Sequence, residues 1–157
     1  VGDQKVALAF QGNRATVLQK LHRWKETKII YESILQAFRH LAEADPDAYL
    51  PNVAGTLNNL GNLLADLGQR EEARKHYEEA LDIYRPFFEK FPDAFRRNIL
   101  VVLNGLRQVC LVLGLEERVA WCTGMMERVA GGEAGGTQAE VLQFVARQRP
   151  FQTWRGA

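Results

Sequence analysis

Shifted by 46 residues, the sequence overlies itself. "WKETKIIYESILQAFRHLAEADPDAY" (24–49) falls on "REEARKHYEEALDIYRPFFEKFPDAF" (70–95). The overlay pairs Glu26 with Glu72, Tyr31 with Tyr77, Glu32 with Glu78, Leu35 with Leu81, Arg39 with Arg85, Glu43 with Glu89 and Pro46-Asp47-Ala48 with Pro92-Asp93-Ala94. Ordinary composition would supply about two such matches. The same shift then pairs Asn52 with Asn98, Leu57 with Leu103, Asn58 with Asn104, Leu60 with Leu106 and Leu67-Gly68 with Leu113-Gly114. A unit of this size cannot bury its apolar side alone, so a repeating chain must stack its units and let each cover the next.

Each unit reads as two helices. Leu57, Leu60, Leu64 and Leu67 fall on one helical stripe, and Gly68 follows where a left-handed cap ends a helix. Ala73, Tyr77, Ala80, Leu81 and Tyr84 form a second stripe, opened by Glu71-Glu72, whose charge suits a helix N-terminus. The pattern predicts helices over 4–21, 24–43, 47–67, 70–90, 94–113 and 116–130. Pro51 either sits inside the third helix or marks its start, and Pro86 is expected to kink the end of the fourth. "GGEAGG" (131–136) reads as a flexible break. After it, "TQAE" has the form of a capping box leading into a short seventh helix, 137–149, that would cover the open end of the stack, with 150–157 as a tail. The expected units are 5–45, 46–91 and 92–130 in one domain.

With 46% hydrophobic and 25% charged residues and a net charge of +1, the chain has the composition of a soluble globular protein and no field that would advertise nucleic acid. No apolar run reaches the length of a membrane span. Cys110 and Cys122 make neither a disulfide framework nor a metal-ligand spacing, which points to a reducing, cytoplasmic setting. His22, His40 and His76 lie on different predicted elements with no ligand spacing to Cys, Asp or Glu, and "GGEAGG" lacks the Lys-Ser/Thr ending of a phosphate loop. Neither an enzyme, a cofactor nor a metal is expected. Val1 in place of Met is read as a sign of a piece cut from a longer chain.

Leu57, Leu60-Gly61, Leu64, Leu67-Gly68, Ala73, Tyr77 and Ala80 have the spacing of large, small and aromatic residues that resembles the tetratricopeptide repeat. The first and third units are degenerate, with Gln11 and Arg14 where leucines belong and with Arg107, Cys110 and Thr123 in place of a small residue, a large one and the aromatic. The 46-residue period exceeds the usual length of about 34, so the resemblance is to an extended form of the repeat with longer helices meeting at a Pro-Asp corner. It implies an all-α, right-handed superhelical solenoid of three helix hairpins plus a C-terminal capping helix. It also implies a protein or peptide partner on the concave surface, lined by the first helix of each hairpin.

On that surface the resemblance places Asn58, Asn59, Asn62 and Asp66 in the second unit, Asn104 and Gln108 in the third, and Asn13, Thr16 and Lys20 in the first. An amide both donates and accepts, so a row of them can pair with the backbone of an extended peptide. Some relatives grip a terminal carboxylate with cations among such asparagines, but Gly55, Val101 and Gly105 stand where those cations would be. The alternative is a spacer or self-association arm, forming a homo-oligomer through the apolar run 98–115 or Phe87, Phe88 and Phe91. RNA binding needs a basic inner face, for which Arg96, Arg97 and Arg107 are too few.

Overall fold

A computed structural model describes residues 2–131. The expected capping helix 137–149 and the tail lie outside the described residues, as does nearly all of "GGEAGG". Six helices follow in order: α1 (Gly2–Lys20), α2 (Trp24–Ala44), α3 (Pro46–Asp66), α4 (Arg70–Lys90), α5 (Pro92–Val112) and α6 (Glu116–Ala130). There is no strand among the described residues. Each helix packs chiefly on its sequence neighbours, with α3 also touching α5. That is the all-α repeat solenoid the sequence implied.

The period is visible in the backbone. Left-handed φ values occur at His22 (58°), Gly68 (76°) and Gly114 (72°), which are 46 residues apart in turn. At each corner the next amide reaches back to an orphan carbonyl of the preceding helix: Arg23 N–H to Leu18, Gln69 N–H to Leu64 and Leu115 N–H to Cys110, at 2.8–3.0 Å. This cap satisfies carbonyls that a helix end leaves unpaired. The other corner is a single residue. Asp45 caps α3 by accepting from Ala48 N–H, and Pro46 occupies the first turn, where a missing N–H costs nothing. Phe91 and Pro92 repeat the turn without the side-chain cap.

Pro51 lies inside α3, which begins at Pro46. Only one turn in, it deprives the Asp47 carbonyl of a donor and leaves the rest of the helix intact. Pro86 is likewise interior to α4, which runs on to Lys90.

The core is continuous along the stack. Leu57, Leu60 and Leu64 of α3 join Ala73, Tyr77 and Ala80 of α4, and the equivalents Leu103, Leu106 and Cys110 continue it into α5. The apolar run of α5 is divided between two environments: Val102, Val109 and Cys110 are buried, while Val101, Leu111 and Val112 are exposed. Tyr77 sets the spacing of the helices. A Cβ added at Gly61 would lie 2.8 Å from its ring and one at Gly105 2.7 Å, so the ring is held between α3 and α5 by two glycines. Gly105 is thus a packing residue.

Candidate functional site

The first helices of the three hairpins, α1, α3 and α5, wall a groove of 570 Å³. Leu8, Ile34, Phe38 and Val102 supply apolar surface, while Asn52, Asn58 and Asn59 present amides. Lys5 and Arg97 also line it, and no Asp or Glu among the described residues does.

The asparagine cluster is split by its surroundings. Asn58 is only 9% exposed, and its Oδ1 is buried without a hydrogen-bond partner among the described residues. A buried amide oxygen left unpaired costs about 1–3 kcal/mol. One turn on, Asn62 is exposed and accepts a 2.7 Å hydrogen bond from the Tyr77 hydroxyl. The first unit holds the same pair in altered form: the Thr16 and Tyr31 hydroxyls are 3.1 Å apart, and Thr16 also donates to the Gly12 carbonyl.

Of the nine expected site residues the groove therefore brings together Asn58 and Asn59. The other seven lie elsewhere on the stack. Asn62 and Thr16 serve the tyrosine rungs. Asp66 accepts from Gln19 Nε2 at 2.9 Å, tying the ends of α1 and α3. Asn104 is half-buried and accepts from Arg107, which occupies the place of a small residue. Asn13, Lys20 and Gln108 are exposed outside the groove.

Sequence reasoning missed the other end of the first helices. Asn98 Nδ2 donates to the Tyr84 hydroxyl at 3.1 Å, and that hydroxyl donates to the Pro51 carbonyl at 3.2 Å. The chain of bonds joins two units across the groove. Asn52, the 46-residue equivalent of Asn98, faces Phe38 in place of a tyrosine and its amide has no hydrogen bond among the described residues. The Asn52–Asn98 recurrence was the available signal.

Burial, opposed by the Asn98 hydrogen bond, raises the Tyr84 phenol above its ordinary value. Burial, helped by the charge of Asp66, raises that of Tyr77 further. Both stay neutral donors at physiological pH. Cys110 and Cys122 are wholly buried, and burial pushes Cys122 up to about 12, so neither thiol has the character of a nucleophile. Among the described residues no group of three or more His, Cys, Asp or Glu could hold a metal ion, and no helix is long and apolar enough to cross a membrane.

Comparison with known families finds a match to the tetratricopeptide repeat over residues 53–85. The matched span runs from Val53 of α3 to Arg85 of α4 and contains Asn58, Gly61, Asn62 and Tyr77. No curated protein matches the chain.

Proposed function

We propose, from the tetratricopeptide repeat match of the central hairpin at residues 53–85, that the α1–α3–α5 groove binds an extended peptide segment of a protein partner. Such repeats are in general protein-interaction modules and not enzymes. The observation that carries the reading is Asn58: a polar side chain nine-tenths buried, lining the groove, with its oxygen unpaired among the described residues. Turning the Asn58 amide so that its buried oxygen enters the groove would let a peptide N–H pair with it and recover the desolvation penalty, and Asn52 and Asn59 offer further amides along the same wall. The apolar floor seats one or two side chains of the segment, the division of labour usual for recognition of an extended peptide.

The test is selection of a displayed random-peptide library on the full chain, followed by amide-shift mapping of a selected peptide. Shifts gathered at Asn52, Asn58, Asn59 and Val101 are expected. Shifts confined to α2, α4 and α6 would place binding on another surface and end the proposal.

Self-association of the stack is the second reading, and its support lies in α1. Phe10 and Val17 are 73% and 56% exposed, whereas their equivalents Thr56 and Leu63 in α3 and Val102 and Val109 in α5 are all buried. The first helix thus presents to solvent the positions that the later units hide, and a second copy of the chain is the occupant proposed for them. Sedimentation across a concentration series should show a dimer that Phe10→Ser with Val17→Ser abolishes. A monomer throughout removes this reading and leaves the groove untouched.

A further inference from the structure

Lys5, Pro51 and Arg97 are one repeat position seen three times, each 46 residues from the next, and all three line the groove. They belong to the extra turn that the long period adds to each first helix. At this end the outer two walls carry cations and the middle one carries none, so Lys5 and Arg97 bracket the groove mouth across Pro51. Neither cation makes an ion pair among the described residues, and Lys5 Nζ is parked 5.9 Å from the centre of the Tyr49 ring. The acids on the same first turns, Asp3, Asp47 and Asp93, lie outside the lining, and Asp93 pairs with Arg96 at 3.1 Å. Deeper in, where a grip on a chain terminus would need cations, stand Gly55 and Val101.

We propose that the groove selects an acidic segment, with side-chain carboxylates held between Lys5 and Arg97 and a neighbouring apolar side chain on Leu8, Ile34, Phe38 and Val102. This rests on the groove being the peptide site. Charge complementarity of this kind favours the right partner and speeds encounter more than it adds to affinity, because the cations are exposed. The pairing supplies what the amides do not, since Asn52, Asn58 and Asn59 accept any backbone. The two cations choose among side chains.

The experiment is the library selection on the full chain, repeated with Lys5→Gln/Arg97→Gln and with Lys25→Gln/Lys75→Gln, which removes two charges from the second helices. Asp and Glu are expected to be enriched beside an apolar position. For an amidated synthetic peptide, binding should weaken roughly fivefold in the groove variant and stay unchanged in the control. Retained binding after amidation assigns the carboxylates to side chains, and loss on amidation assigns them to the terminus and overturns the proposal. Selection of neutral peptides, or equal binding by the two variants, overturns charge selection while leaving the groove as a peptide site. Failure to select any peptide removes both.

Discussion

The Tyr77 hydroxyl donates to Asn62 Oδ1 across 2.7 Å, and its ring lies between Gly61 and Gly105. One side chain thereby joins three helices, because the phenol comes from α4 and the glycines from α3 and α5. Asn62 holds the hydroxyl end of that ring. This relationship separates Asn62 from Asn58, four residues before it on the same helix.

Gly105→Ala should destabilise the protein. Alanine improves helix propensity by about 1 kcal/mol, but its Cβ would meet a ring already pinned by Gly61 on the far side, and overpacking of that kind costs about 1–3 kcal/mol. Gly124, with nothing within 4 Å of an added Cβ, is the internal control and should gain stability on the same change. Urea unfolding of the two variants checks the opposite signs.

His22 is the non-glycine member of the left-handed series completed by Gly68 and Gly114. A side chain in that conformation is strained by about 1–2 kcal/mol. The edge contact between the His22 and Trp24 rings, 4.9 Å between centroids, offsets part of this. His22→Gly is therefore expected to raise the melting temperature, a gain below the full strain. A fall would mean that the ring contact outweighs the backbone term.

Alkaline pH should unfold the chain earlier than its carboxylate and amine content suggests. Cys122 ionises near 12 in the fold against an ordinary 9.0, because burial disfavours the thiolate. Its contribution is complete below pH 9 and is lost as pH rises toward 12, since the unfolded chain releases the proton first. The limiting slope is about 1.4 kcal/mol per pH unit for one such group. Burial shifts Cys110, Tyr77 and Tyr84 in the same direction. Between pH 9 and 11, Cys122→Ala should show a shallower decline in unfolding free energy than the parent.

Helix limits were legible because the residues that set them are local. Gly68 and Gly114 take the left-handed cap, Pro46 and Pro92 open helices, and the expected 70–90 and 116–130 coincide with α4 and α6. The place of Pro51 was not legible, since a proline one turn into a helix and one at its start have the same local signature. The face shared by Asn58 and Asn62 followed from their four-residue spacing. What lies over each did not, because the reach of Tyr77 and the closure of the groove depend on neighbouring hairpins. Lys5 and Arg97 were missed for a related reason: a 46-residue recurrence broken by proline in the middle looks like no recurrence at all.

The central claim is that the fold needs Asn62 and leaves Asn58 for a ligand. It is tested most directly by measuring melting and peptide affinity together for Asn58→Leu and Asn62→Ala, using a peptide selected on the parent chain. Leucine removes a buried unpaired oxygen at similar volume, so Asn58→Leu should melt no lower than the parent while losing roughly tenfold or more in affinity. Asn62→Ala should melt lower, by about 1 kcal/mol of stability, and still bind. If Asn58→Leu binds as the parent does, or if Asn62→Ala alone abolishes binding with its melting unchanged, the division between the two asparagines is wrong.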